Sequence, residues 1–172
     1  NTTTVGSVST TANNSGVDVD ESSTITSLAV GHTTPVSIAD GKTLSGGITV
    51  STGGSIKLGE TGTLVSTVSM SGGTLDADET LTLSGNLTQA GNIEIQVAEN
   101  KTLTYSGTAI NVGANTITLS GGGSLVSGGM TLNDAQSKLL LNSITLDSAS
   151  TSANSLGLDV DANSTVTAFS VG

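Results

Sequence analysis

The sequence predicts an all-β protein, a parallel β-solenoid built from coils of about 20 residues. Pairs of a hydroxyl residue and an aliphatic residue recur along the whole chain at spacings of 19 to 22 residues. Short stretches of alternating apolar and polar residues flank these pairs, which is typical of strands with one buried face. Turn residues separate the stretches, and no apolar stripe with the helical period persists. Such coils cover their apolar faces only by stacking on one another.

The recurring hydroxyl and aliphatic residues define one strand position in every coil, and we call them the anchor pairs. We expect the aliphatic residue to point inward and the hydroxyl before it to point outward, because side chains of a strand alternate between its two faces. The anchor pairs are Thr4-Val5, Thr24-Ile25, Thr43-Leu44, Thr63-Leu64, Thr82-Leu83, Thr102-Leu103, Ser124-Leu125, Thr145-Leu146 and Thr165-Val166.

Two further strands are expected in each coil. One precedes the anchor, with aliphatic residues eight and six positions before the anchor aliphatic residue, and the other follows it with looser spacing. The pattern is weakest over residues 133–153, where Lys138 occupies an expected inward position and a bulge or inserted corner residue is expected. The aliphatic residues of the preceding strand are Val17/Val19, Val36/Ile38, Ile56/Leu58, Leu75/Ala77, Ile95/Val97, Ile117/Leu119 and Leu158/Val160.

A long repeat contains the short one. Residues 1–31 align without gaps with residues 142–172, and 16 of the 31 positions are identical. The offset of 141 residues spans seven coils, so residues 1–172 are interpreted as one continuous solenoid of about 1.2 such units. Right-handed winding is expected, as for other parallel crossovers. A β-sandwich of the pilin type fits the composition equally well but does not explain several columns with one spacing.

The composition predicts an aliphatic core and no enzyme. Thr, Ser and Gly number 29, 26 and 23, whereas Cys, Trp and Arg are absent and Phe and Tyr occur once each. Aromatic sugar platforms, thiolate metal sites and phosphate-binding loops are therefore missing. His32 and Tyr105 fall in different coils, and both are expected to be surface residues.

The charge excludes several classes of partner. Fourteen acidic residues oppose four lysines, and the formal net charge is −10. Phosphate backbones and anionic membranes would repel such a surface, so no nucleic acid partner is expected. No apolar run approaches the length of a membrane span, and no membrane insertion is expected.

Acidic residues recur four to five positions before the anchors, and stacking would align them along one corner. They are Asp20, Glu21, Asp40, Glu60, Asp78, Glu79, Glu99 and Asp161. Two readings remain open, a solvated acidic edge partly neutralised by Lys42 and Lys101, or a Ca²⁺ site, since carboxylate oxygens are the preferred ligands of this ion. No other cofactor is expected. The candidate Ca²⁺ ligands are Asp18, Asp20, Asp76, Asp78, Asp159 and Asp161.

Outward hydroxyl groups suggest two further partners. The anchor hydroxyls would form a ladder of nine, and a flat Thr-x-Thr array of this kind is similar to the ice-binding faces of some antifreeze proteins. Several asparagines also match the acceptor pattern for N-linked glycans. These asparagines are Asn1, Asn13, Asn86, Asn100 and Asn163.

Residues 39–50 and 76–87 resemble the coils of bacterial autotransporter passengers, filamentous-haemagglutinin-like adhesins and giant repetitive surface proteins. The resemblance covers the whole chain but carries over no binding residue. It implies a secreted or surface-anchored rod at the outside of the cell, which acts as a segment of a fibre, stalk or sheath. No capping element is evident at either end, so the expected partners are other copies or repeats of the same chain, joined end to end or side by side.

Overall fold

The computed structural model describes residues 3–59 and 61–172, which form a parallel β-solenoid of about eight turns with about 20 residues per turn. Every strand pairing is parallel, and no helix is present in the described residues. The coil has three faces, which we number in chain order within a turn. The strands of the first face are β2 (Val17–Val19), β4 (Thr33–Ile38), β6 (Ser55–Gly59), β9 (Thr74–Ala77), β12 (Ile93–Val97), β15 (Thr116–Ser120), β18 (Lys138–Asn142) and β20 (Gly157–Val160).

The second and third faces belong to one sheet, because strands near both ends of the rod run through both faces without a break. The middle coils have three separate strands, as predicted. In the coils near the two ends, one strand covers both the second and the third face. The continuous strands are β1 (Thr3–Thr10), β3 (Ser23–Val30), β5 (Thr43–Val50), β19 (Thr145–Thr151) and β21 (Thr165–Val171). The divided strands are β7 (Thr63–Leu64), β10 (Leu81–Leu83), β13 (Thr102–Tyr105) and β16 (Ser124–Val126) on the second face, and β8 (Thr67–Met70), β11 (Leu87–Gln89), β14 (Ile110–Asn111) and β17 (Met130–Leu132) on the third.

The core is one aliphatic cluster that runs the length of the rod, as the composition predicts. Inward residues alternate with outward ones along the strands, and the inward residues stack on their equivalents in the next coil. Burial of such side chains stabilises the fold by about 1.5 to 3 kcal/mol each relative to full exposure. Seven steps of strand pairing separate β1 from β19, as the seven-coil unit predicts.

Four pairings are shifted by two residues relative to the predicted columns, at Ile25 and Leu83 on the second face and at Val36 and Ile95 on the first face. Leu83 pairs with Tyr105 and not with the next anchor residue, Leu103, so the second-face column moves by two residues at this step. Tyr105 is therefore buried, and its predicted surface position is wrong. Its hydroxyl donates to the carbonyl oxygen of Thr108 at 2.7 Å and accepts the N–H of Leu87 at 3.1 Å, so the buried polar group is satisfied.

The shift at Val36, on the first face, brings a hydroxyl group into the core. Thr34 pairs with Ile56, so Val36 lies beside Leu58 instead. The buried Thr34 hydroxyl donates to that of Thr10 at 2.9 Å, which removes the cost of burying an unpaired polar group.

The weak coil over residues 133–153 differs from expectation. Leu139 and Leu141 point inward and Lys138 points outward, so the expected inward position of Lys138 is wrong. The corner that follows is shorter, not longer, because two residues separate its strands and three or four residues separate them at the other corners between these faces. Ser143 takes a left-handed φ of 55° there, and Ile144 is buried. Because of this shorter corner, the side chain of Leu146 points inward like the anchor residues of the other coils.

Glycine allows the backbones of neighbouring coils to approach at Gly85. A Cβ atom at this position would overlap the carbonyl oxygen of Ser66 in the preceding coil. By contrast, a Cβ atom at Gly31 would meet nothing within 4 Å, and neither glycine has a positive φ. Close stacking of coils therefore requires glycine at the first position and not at the second.

We predict that Gly85→Ala lowers the free energy of unfolding by about 2 to 3 kcal/mol, because the added methyl group forces two backbones apart. Gly31→Ala should change it by less than about 0.5 kcal/mol. Urea unfolding followed by circular dichroism measures both values. Equal stability of the two variants would contradict the stacking at this corner.

Candidate functional site

Charged side chains collect on one side of the rod, which we call the charged side. It consists of the first face and the corner that joins the first face to the second, and it holds 15 of the 17 charged residues described, with only Asp134 and Asp147 elsewhere. Glu60, part of the predicted acidic corner, lies outside the described residues. The members are Asp18, Asp20, Glu21, Asp40, Lys42, Lys57, Asp76, Asp78, Glu79, Glu94, Glu99, Lys101, Lys138, Asp159 and Asp161.

All four lysines of the chain form ion pairs with acidic residues of a neighbouring coil. Lys42 lies 2.7 Å from Glu21, and its hydrogen bond and positive charge lower the pKa of that carboxyl group. The Lys138 ammonium is 2.8 Å from Asp159. Lys101 pairs with Glu79 at a distance of 2.5 Å. The predicted partial neutralisation by Lys42 and Lys101 therefore takes the form of direct ion pairs between coils.

Lys57 lies between two carboxylates of the next coil. Its Nζ atom is 3.5 Å from an oxygen of Asp76 and 3.5 Å from one of Asp78. Burial raises the pKa of Asp76, and the adjacent charge of Asp78 raises it further, while Lys57 opposes both effects. The two carboxylates in turn raise the pKa of Lys57. The ammonium group thus occupies the place between the carboxylates where a bound cation would neutralise them.

The predicted Ca²⁺ ligands form three pairs, which differ in their ion-pair partners and in their exposure. Asp76, in β9, and Asp78, directly after this strand, face the same side, as predicted, but both pair with Lys57. Asp159 holds Lys138, whereas Asp18 and Asp20 are exposed. In residues 3–59 and 61–172, no group of three or more metal-binding side chains comes together. A pair of carboxylates supplies few of the six to eight oxygens that Ca²⁺ takes, and the Ca²⁺ site stays a prediction.

The outward hydroxyl ladder is less regular than predicted. Thr24 pairs with Ser45, their hydroxyl oxygens 2.9 Å apart, and Thr82 pairs with Thr104 rather than Thr102. The anchor hydroxyls therefore do not form one straight column. The exposed side chain of Val126 interrupts the second column of hydroxyls. Ice binding by this face stays a prediction.

Asp147 stabilises the corner between the second and third faces. Its carboxylate accepts the Ser127 hydroxyl at 3.0 Å and the Gly128 N–H at 3.0 Å. Burial alone would raise the pKa of this carboxyl group, but the hydrogen bonds outweigh burial and lower it. The resulting stabilisation is present above the unfolded pKa, near 3.8, and is lost as the pH falls through the lower folded value.

A polar groove that the sequence did not indicate opens on the charged side. It has a volume of about 570 Å³ and lies where glycines replace the acidic corner residues of other coils. The Ser120 hydroxyl donates to Glu94 Oε1 at 2.6 Å, so these two groups satisfy each other. The sequence feature at this position is the glycine run 121–123, which is typical of a turn. The groove is lined by Glu94, Gln96, Glu99, Ser120, Gly121, Gly122, Asn142 and Ser143.

The remaining candidate residues lie at the surface. His32 is exposed, as expected. The glycan acceptor Asn1 lies outside the described residues, and the other four acceptors are exposed. Asn13 and Asn86 also accept backbone N–H groups of the next coil through their side-chain oxygens. Glycosylation stays a prediction.

Comparisons with known protein families, with curated proteins and with solved structures give no match to this chain. None of the residues that the structure describes belongs to a helix that could span a membrane.

We predict that Lys57→Met lowers the free energy of unfolding by about 1 to 2 kcal/mol at pH 7, because Asp76 and Asp78 lose the cation between them. The raised pKa of Asp76 gives stability that is present below its unfolded value, near 3.8, and lost as the pH rises through its folded value. Without Lys57 the folded pKa rises further, so the deficit should shrink towards pH 3.

Lys138→Met is the matched control, because its partner Asp159 is more exposed than Asp76. This substitution should lower the free energy of unfolding at pH 7 much less than Lys57→Met does, because solvent screens the exposed pair. Chemical unfolding of both variants between pH 3 and pH 7 gives the comparison. A deficit for Lys57→Met that is independent of pH would rule out the carboxylates as its cause.

Proposed function

We propose that this chain is a structural segment of an extracellular fibre, stalk or sheath, a surface rod whose length is set by the number of stacked coils. The observation that carries the proposal is the single core that runs through about eight parallel coils, together with the sequence equivalence of residues 1–31 and 142–172. A stack whose last coil repeats its first can be lengthened without a change of cross-section.

The mechanical argument starts from the direction of the hydrogen bonds. In a solenoid the backbone ladders run along the rod axis, so a pull on the rod loads all three faces together. Connections between strands in the described residues have at most six residues, so few loops project for proteases to cut. These properties suit a protein that extends from a cell and resists force. The proposal gives the chain no catalytic role.

The distribution of charge favours one face for lateral contact between rods. The third-face strands β8, β11, β14 and β17 contain no charged residue, and β19, which continues from the second face, contains only Asp147, at the corner; the charged side is acidic. Two rods of the same net charge approach at lowest cost when their charged sides point apart. In the proposed fibre, rods that associate side by side therefore do so through third faces.

Immuno-electron microscopy of intact source cells tests the proposed function. An antibody raised against this chain should label filaments outside the cell, and an antibody against a cytoplasmic protein should give no label without permeabilisation. Where the parent protein contains several seven-coil units, labels should be spaced along the shaft by multiples of about 34 Å, which is seven strand spacings. Labelling that requires permeabilisation would refute an extracellular rod.

A further inference from the structure

The last coil, β20 with β21, leaves its outer edge and its inward side chains uncovered. Among the residues that the structure describes, no strand pairs with this edge. Val160 is 51% exposed, Phe169 43% and Val171 77%, although their positions are those of core residues. Apolar side chains next to unpaired backbone groups form a surface that favours the addition of a strand.

The same coil occurs earlier in the chain with its edge covered. Residues 11–31 are the sequence equivalents of residues 152–172. Val19, Leu28 and Val30, the equivalents of the three exposed residues, are only 4%, 0% and 0% exposed. The cover consists of β4 on the first face and β5 on the other two. The structure thus contains both the open surface and an example of what closes it.

The covering coil makes polar as well as apolar contacts with the coil beneath it. The N–H of Thr33 donates to Asn13 Oδ1 at 3.1 Å, and the Thr34 hydroxyl donates to that of Thr10 at 2.9 Å. A Cβ atom at Gly16 would lie 3.1 Å from the carbonyl oxygen of Pro35, so glycine leaves room for the covering strand.

These receiving residues are identical in the last coil. Other aligned positions differ, as Glu21 and Ala162 do. The receiving residues are therefore identical although the segment as a whole is not. The polar contacts and the glycine can therefore form again without any substitution. Thr10, Asn13, Gly16 and Thr24 correspond to Thr151, Asn154, Gly157 and Thr165.

A second copy of the described residues would close this edge incompletely. Its first strand, β1, supplies the second and third faces and would lie on β21. Its first-face strand, β2, belongs to the following coil, since β2 and β3 pair with β4 and β5. One strand position on the first face would stay empty beside β20. A coil of the 32–50 type supplies all three faces.

We propose that β20 and β21 form a docking edge for a coil of the same type as residues 32–50, which extends the rod in register. This inference rests on the proposed function and specifies how the rod is lengthened. The partner is recognised by two features, inward aliphatic residues at the positions of Val36, Ile38, Ile48 and Val50, and a Thr-Thr-Pro segment over Gly157.

The test extends the full chain with a second copy of residues 32–50 directly after Gly172. Hydrogen–deuterium exchange should slow at least about tenfold in residues 157–171, because their backbone and side chains become covered. An extension with the same residues in shuffled order is the matched control and should leave the exchange unchanged. Equal exchange with the two extensions, fast or slow, overturns the proposal.

Val171→Asp separates docking at this edge from other effects of the extension. Val171 is 77% exposed, so the unextended chain should fold normally, and the substitution should remove most of the protection gained with the authentic extension. Val5→Asp, at a residue 42% exposed on the opposite end of the rod, should leave the protection unchanged.

Sedimentation of the unextended chain shows whether a second copy of the chain occupies this edge instead. Filaments that Val171→Asp disperses would make a second copy the partner and would overturn the proposal. The exchange experiment does not depend on cellular location, so its failure leaves the extracellular rod untouched. Conversely, intracellular labelling in microscopy would remove the proposed function and leave the docking edge standing.

Discussion

The structure depends on one constraint, that no coil of about 20 residues buries its own apolar side chains. Each coil offers a row of aliphatic residues on its three faces and open backbone groups on two edges, and only a neighbour in register satisfies both. Register is strictly determined, because a slip of one residue would turn every inward side chain outward. The buried Leu103 and the outward Thr102 beside it illustrate the alternation that this requirement maintains. The close approach at Gly85 and the shortened corner before Ile144 both serve the same register.

Much of the fold could be predicted from the sequence because a short repeat and a period of two carry the information. The anchor residues and the seven-coil unit follow from spacing alone. The register shift at Leu83 and Tyr105 could not be predicted, because a shift of two residues preserves the alternation and leaves no trace in the pattern. The inward residues after Lys138 could not be predicted for another reason, because the run of leucines fits two registers. Only the short corner at Ser143 and Ile144 selects between them.

The candidate site was predicted in part. Stacking places the acidic residues along one corner wherever their spacing follows the coil, which the sequence shows directly. The partners of the lysines could not be predicted, because they depend on which outward residues of neighbouring coils lie side by side. Lys57 is the clearest example, since its position beside Asp76 follows only from the pairing of β6 with β9. Ion pairs between coils reduce repulsion within an acidic rod, and the third-face strands β8, β11, β14 and β17 carry no charged residue.

Distances between spin labels along one column of the first face test the in-register stack most directly. The chain has no cysteine, so cysteine pairs can be introduced without competing labels. Thr33 is four pairing steps from Thr118, five from Leu140 and six from Asp159. Electron paramagnetic resonance should give distances near 19, 24 and 29 Å, with equal increments of about 4.8 Å. Distances that do not rise by one strand spacing per coil would contradict the parallel stack.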